Sequence, residues 1–270
     1  MKINNFKKKI KEFIKRRYTL YTIIFFIWGI WWIIRAKMIF GKIKHSSVKG
    51  NSNILILALR TIPTTNLVYF DAIFGHAFKR LGCEVKMLYC DGVLDSCDAD
   101  TAFHSQRPQC FLCKKFNKSL KEALNLDCLS FHQYISEKDI KEIKNKVSNL
   151  DVEELLNYKY LGVNVGAHAQ SSAIRYFLFG KLDLNNSKQV VVLREKLTCA
   201  MIVTKVAAEL ANKENPSAVF MVHGVYSTWG PFAEYFKLKG IETVIYSNMP
   251  PRFGYFIFNR NNRANELVSK

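Results

Sequence analysis

Apolar and polar positions fall into distinct regimes along the chain. In residues 1–17 the apolar side chains Ile3, Phe6, Ile10, Phe13 and Ile14 recur at helical spacing, while Lys7, Lys8, Lys9, Lys11 and Lys15 lie mostly on other faces. This is the pattern of a basic amphipathic helix. Tyr18 to Ile34 follows as 17 residues without a charge, with Trp28, Trp31 and Trp32 clustered in its second half. As a helix rising about 1.5 Å per residue it would reach roughly 26 Å, just short of a hydrocarbon core of about 30 Å. Such a segment can lie in the cytoplasmic leaflet, span the bilayer, or pack as a core helix, and the clustered lysines disfavour the last. If it spans, eight basic residues before it against five after it (Arg35, Lys37, Lys42, Lys44, Lys49) leave the N-terminus in the cytoplasm. Arg35-Ala-Lys-Met stands where a signal peptidase would need small residues, which argues against a cleaved signal.

After a polar linker, Lys42 to Asn53, the pattern changes to short continuous apolar runs alternating with helical periodicity. Ile54 to Leu59 reads as a strand covered on both faces, Asn66 to Leu81 as a helix ended by Gly82, and Glu84 to Tyr89 as a second strand. Strand, helix and strand within about 36 residues is the length of a βαβ unit and predicts a parallel sheet. The alternation resumes with a helix over Gln189 to Lys213, a strand over Ala218 to Val222, a helix over Trp229 to Lys239, Gly240, and a strand over Thr243 to Tyr246. Between these blocks, residues 116–182 read as a helical insertion that includes a charged, solvated helix over Ser136 to Leu150. The expected fold is therefore α/β, a Rossmann-like parallel sheet flanked by helices, with an N-terminal membrane-associated helix.

Charge sharpens the leader. The chain carries 40 Lys and Arg against 22 Asp and Glu, a net +18, and residues 1–50 hold 13 basic residues and one Glu, which is +12 of that total. Basic charge beside apolar residues at one end points to an anionic membrane surface as partner rather than nucleic acid.

Three groups of residues could carry chemistry. Cys90, Cys97, Cys110 and Cys113 fall within 24 residues of a loop leaving a strand, and four thiolates there could close a tetrahedral zinc site, hold an iron–sulfur cluster, or be unrelated thiols. Cys83, Cys128 and Cys199 sit in apolar or helical settings and read as inert buried thiols. The run His223-Gly-Val-Tyr226-Ser227-Thr228-Trp-Gly230-Pro231 leaves a strand and enters a helix, so it occupies the carboxyl edge of the sheet, where open α/β folds bind ligands. There His223 could act as a base, with Tyr226, Ser227 and Thr228 holding substrate; the competing reading is a capped helix start with a structural histidine. His168 and Arg175 lie about two helical turns apart and could face one way, Arg175 toward a phosphate or carboxylate, or else toward a surface ion pair. Asp91-Gly92 reads as a turn, and spacing identifies no partner for His76, His104 or His132.

Ile54 to Arg60, Leu88-Tyr-Cys-Asp-Gly92 with Cys97 and the Cys110-x2-Cys113 pair, Ser171-x3-Arg175-Tyr176, and His223 to Gly230 together resemble the N-terminal half of glycosyltransferases of the GT-B fold in capsule and surface polysaccharide synthesis. The resemblance covers about residues 53–258. It implies an acceptor-binding half, acting on a glycan or lipid-linked acceptor at the cytoplasmic face of the cell membrane, with the nucleotide-sugar donor bound elsewhere by a second Rossmann domain. The sequence departs from that family after the strand-like Tyr255 to Phe258, because residues 259–270 are a short tail and the second domain is expected to be absent, truncated, or supplied by a separate C-terminal half. Arg60 to Thr65 also lacks the His, Asp or Glu often used as base, which leaves His223. The organisation read here is a membrane-associated segment over 1–44, a Rossmann-like domain over 45–258 with a Cys-rich loop (90–113), and the tail. A noncatalytic membrane-bound scaffold among polysaccharide-assembly proteins is the alternative, and a cysteine-metal nucleic-acid or redox module is disfavoured because the basic charge is not near the cysteines.

Overall fold

The structure, a computed structural model, describes residues 22–43, 52–61, 67–99, 101–102, 107–178, 180–246, 248–249 and 254–255. The amphipathic segment 1–17, most of the linker, His104, the 256–258 part of the last strand-like run and the tail lie outside them.

Five parallel strands form one sheet in the order β3-β2-β1-β4-β5, with β1 Asn53–Leu57, β2 Glu84–Tyr89, β3 Asp127–Ser130, β4 Ala218–Val222 and β5 Glu242–Tyr246. The central strand β1 runs beside β2 from Asn53↔Glu84 to Leu57↔Leu88 and beside β4 from Ile54↔Ala218 to Leu57↔Met221. Being central, it is covered on both faces, which is why its sequence is continuously apolar. Leu55, Leu57 and Leu59 enter one core, and Ile54, Ile56 and Ala58 enter another on the opposite face.

The helices divide between those faces. Helices α2 (Leu67–Arg80) and α3 (Arg107–Leu124) cross from β1 to β2 and from β2 to β3, and their Val68, Ala72, Leu120, Ala123 and Leu124 join the Ile54–Ile56 core. On the Leu55–Leu57 side lie α4 (Glu137–Ser148), α5 (Val165–Phe177), α6 (Ser187–Glu214) and α7 (Gly230–Leu238). The chain thus winds outward on one face to β3, returns past β1 to β4, and winds outward on the other face. The chain is a Rossmann-like α/β protein whose winding reverses between β1 and β4.

The 116–182 region differs from its reading as a helical insertion. It holds the last half of α3, the edge strand β3 and a short 3-10 helix (Phe131–Gln133) before α4 and α5. Strand β3 is four residues long and none of them is fully buried, so Asp127-Cys-Leu-Ser130 needs no apolar run and leaves no pattern in the sequence. The charged helix does form: Ser136 caps α4, its Oγ accepting from the Asp139 N–H at 3.1 Å, and Ile143 and Val147 are its buried stripe.

The apolar leader is helix α1, Thr22–Phe40, long and apolar enough to cross a membrane. One stripe of it docks on the domain. Phe26 stacks on Phe116 of α3, Trp32 on Tyr69 and Phe40 on His76 of α2, with ring centroids 5.2–5.4 Å apart, while Ala36 and Phe40 are buried. Gly29 permits this approach, since a Cβ there would sit 2.7 Å from the Phe116 ring. Ile23, Ile27, Ile30, Trp31, Ile34 and Met38 remain exposed on the opposite side.

Candidate functional site

The loop that leaves β4 at the winding reversal is held rigidly from behind. Asp98 is 5% exposed, and its two carboxylate oxygens accept from the Ser172 hydroxyl of α5 at 2.7 Å and from the Thr228 backbone N–H at 2.8 Å. Ser172 Oγ in turn accepts from the Ser227 N–H at 2.7 Å. Two successive amides of the loop therefore rest on one buried carboxylate, directly and through one hydroxyl. The segment bearing Asp98 is itself tied to the helices: Arg175 donates to the Asp98 carbonyl, and Lys196 of α6 donates to the Cys97 carbonyl at 2.9 Å.

Helix α7 begins without a side-chain cap. Trp229 occupies the cap position, and the Tyr226 carbonyl accepts from the N–H groups of Trp229 at 3.1 Å and Gly230 at 2.6 Å, with Pro231 at the first turn. His168 closes the arrangement, with Nδ1 2.7 Å from the Val225 carbonyl and Nε2 2.9 Å from Glu234 of α7. Both ring nitrogens thus face protein oxygens. The two glycines serve this packing rather than a ligand: a Cβ at Gly230 would meet His168 Nδ1 at 2.2 Å, and one at Gly224 would meet Ile245 at 2.4 Å.

Three residues expected to contact substrate face the interior of the loop. His168 spends both nitrogens on protein groups and is a positioning residue. Ser227 is fully buried, its hydroxyl donating to the His168 carbonyl at 3.3 Å. Thr228 is 2% exposed, and its hydroxyl and the Trp229 indole N–H are buried without a partner among the described residues. These side chains point to the inner side of the loop because Asp98 draws their backbone inward.

What faces outward is basic. His223 is exposed, in a left-handed backbone conformation (φ +59°) that is uncommon outside glycine and turns its ring away from the strand. Its ring lies 6.4 Å from that of Tyr226 and 5.9 Å from that of Trp229. The Arg175 guanidinium stacks 5.3 Å over Tyr226, which brings Arg175 against the loop. His223 is accessible yet partly walled off from water. Desolvation lowers its pKa below the ordinary 6.5, Arg175 and Arg60 add to that, and Asp98 opposes it. The imidazole is accordingly neutral at pH 7 and free to accept a proton, with two guanidinium groups nearby.

The tips of β1, β2 and β3 carry a second polar chain. Thr61 donates to Asn117 of α3 at 2.5 Å, Asn117 donates to Asp91 at 2.7 Å, and Ser130 donates to Asp91 at 2.9 Å. Asp91 and Gly92 form the expected turn, with φ of +54° and +76°, and the Asp91 carboxylate is consumed by it. Burial would raise the Asp91 pKa, but the bonds from Asn117 and Ser130 outweigh it and hold the carboxyl below 3.8.

The four candidate ligand cysteines do not form a loop cluster. Cys90 directly follows β2, Cys97 lies in the segment after it, and Cys110 and Cys113 are on α3. They are near enough to influence one another's ionisation, yet none of the seven cysteines forms a disulfide, and no three His, Cys, Asp or Glu among the described residues are placed to share a metal ion. Burial pushes the thiols of Cys90 and Cys113 up to about 12 and that of Cys97 up to about 11, so they are protonated and poorly nucleophilic at neutral pH. The described geometry does not fit zinc.

Asp98, Ser172, Lys196 and Glu234 did not emerge from motif reading. Lys196 left a trace, because it interrupts the apolar stripe Leu193, Leu197, Ala200 of α6 and is 1% exposed. Asp98 left none.

No family model matches the chain, and no solved structure matches it. The flagellar motor switch protein FliM of Buchnera aphidicola subsp. Baizongia pistaciae (strain Bp) is 33% identical over 101 residues, 36% of this chain and 30% of that protein. The matching stretch thus spans under a third of the relative's length, too little to carry its role across.

Proposed function

We propose that the protein is a membrane-surface sugar-transfer module, the acceptor-binding half of a GT-B-type glycosyltransferase in surface polysaccharide synthesis. The observation that carries this reading is the loop leaving β4 at the β1/β4 reversal, locked by Asp98, on which an exposed His223 lies within electrostatic reach of Arg175 and Arg60. Two guanidinium groups suit an acceptor bearing a phosphate or carboxylate, as lipid-linked and acidic glycans do, and the imidazole would take the proton from its attacking hydroxyl. A nucleotide-sugar donor would be held by a second domain, in this chain's continuation or in a partner.

The docked leader supports attachment in the plane of the membrane rather than a span. If α1 crossed the bilayer, Tyr69, His76 and Phe116 would have to leave water with it, together with the charged residues of α2 and α3 around them. Lying flat, α1 buries Ile23, Ile27, Ile34 and Met38 among acyl chains while Arg35 and Lys37 reach headgroups of the cytoplasmic leaflet.

The test is complementation. Cells lacking the gene should lose or shorten their surface polysaccharide, seen on gels of extracted glycan, and the intact gene should restore it. His223→Ala, shown to be folded by circular dichroism, should fail to restore it; unchanged glycan in the deletion strain would remove the proposal. Full restoration by His223→Ala would favour the scaffold reading instead.

A further inference from the structure

A cavity of about 410 Å³ lies between α4, α6 and the segment that follows β2. Its floor is apolar, formed by Val147, Cys199 and Ile202, each at most 3% exposed. Most of its polar groups are engaged by the protein. The Arg194 guanidinium donates to the Val147 and Leu150 carbonyls at the end of α4, and Lys144 pairs with Asp95. The Thr198 and Ser148 hydroxyls donate to the Arg194 and Asn145 carbonyls of their own helices, at 2.9 Å and 2.8 Å, and keep their lone pairs free. Two groups in the lining have no partner among the described residues. One is the exposed Glu195 carboxylate, and the other is the hydroxyl of Ser96, a residue only 8% exposed.

From this we infer that the cavity is a binding site for a neutral, polyhydroxylated ligand, a sugar residue of the acceptor glycan; that the ligand belongs to an acceptor rests on the function proposed above. The class follows from what the lining lacks. Ser96 needs an acceptor, while Glu195, Thr198 and Ser148 need donors, and neighbouring hydroxyls on one sugar ring supply both. An ammonium only donates and leaves the buried Ser96 hydroxyl unsatisfied. A carboxylate or phosphate only accepts, and it meets the Glu195 charge in a lining whose two cations are already engaged. The volume falls inside the roughly 300–1,000 Å³ of small-molecule pockets, and the apolar floor suits the C–H face of a sugar ring. Ser96 is followed by Cys97, whose carbonyl Lys196 of α6 holds, and by Asp98, which locks the His223 loop. A sugar on Ser96 thus abuts the strap of chain that carries the lock.

The experiment is saturation-transfer NMR on the full chain in a polyoxyethylene detergent, which carries no sugar. The probes are the methyl glycosides of glucose, galactose, mannose and N-acetylglucosamine at millimolar concentration. At least one should receive saturation, and neither butylammonium nor butyrate, which fit the floor but only donate or only accept, should displace it. Ser96→Ala should weaken binding about tenfold, the loss of one hydrogen bond. Val191→Trp, at the cavity's exposed rim, should block it. Melting gives a second readout: Ser96→Ala should melt no lower than the parent, because the hydroxyl it removes has no partner in the fold. Transfer to none of the four glycosides, binding that survives both substitutions, displacement by either ion, or a lower melting temperature in Ser96→Ala overturns the site. A chain that restores surface polysaccharide in cells yet binds no glycoside loses the site and keeps its proposed function. Binding that both substitutions remove, by a protein whose deletion leaves the glycan unchanged, keeps the site and overturns its assignment to an acceptor.

Discussion

Replacing Asp98 by alanine should cost about 3–5 kcal/mol, because it strips the acceptor from two buried donors at once, each a hydrogen bond to a charged group contributing about 1.5–3 kcal/mol. The donors are the Ser172 hydroxyl and the Thr228 N–H, and the carboxylate that receives them is almost wholly enclosed. A water admitted into the vacated space recovers part of the loss, which is why the figure sits below the simple sum. Asparagine should cost less, about 1–2 kcal/mol: its oxygen can serve the Thr228 N–H while its NH2 group faces Ser172 Oγ, displacing one hydrogen bond instead of two. For a chain of this size about 2–4 °C of melting temperature follows each kcal/mol, so the alanine variant should melt roughly 6–20 °C lower by far-UV circular dichroism in mild detergent. Because Ser172 links Asp98 to the Ser227 N–H, Ser172→Ala and Asp98→Ala should be coupled by at least about 1 kcal/mol in a double-mutant cycle. An alanine variant within about 1 kcal/mol of the parent, or additive single effects, would show that the loop is not held as described.

Three further outcomes follow from groups displaced from their ordinary ionisation. Burial holds Asp71 up at about 7 against 3.8, so the folded protein keeps a proton that the unfolded chain releases; stability should fall as pH rises from about 4 to about 7, by about 4 kcal/mol in all, and Asp71→Asn should flatten that slope in urea titrations at a series of pH values. A wild-type slope of opposite sign over that window would refute it. His223 should titrate below 6.5 by NMR and move upward in Arg175→Gln, whereas no movement would place the guanidinium elsewhere. Cys90, Cys97 and Cys113 should react with iodoacetamide at neutral pH at least about a hundredfold more slowly than a free thiol, with or without a chelator, and acceleration by the chelator would reinstate a metal.

Much of the architecture was legible along the chain, since β1, β2, β4 and β5 are buried parallel strands whose apolar runs need no partner to be recognised, and α2, α6 and α7 end at Gly82, Asn215 and the Lys239-Gly240 turn. The leader was legible for the same reason: 17 uncharged residues and a +12 segment are properties of composition. Strand β3 was not: unlike β5, the other edge, it has no fully buried residue, so Asp127–Ser130 carries no apolar run and is specified by the pairing of Lys86↔Asp127 to Tyr89↔Ser130. The loop after β4 shows the division most clearly. Its position at the carboxyl edge follows from strand and helix order alone, yet which of its side chains meet solvent depends on Asp98, 130 residues earlier in the chain, turning Ser227 and Thr228 inward and leaving His223 outside. The same holds for the cysteines, whose spacing suggested one site while the helix under Cys110 and Cys113 set their directions, and for α1, whose sequence allows a span but whose stacking on Tyr69, His76 and Phe116 lays it along the domain. Hydrophobic periodicity is a local property that burial imposes residue by residue; the direction of a polar side chain is settled by a donor or acceptor brought from elsewhere in the fold.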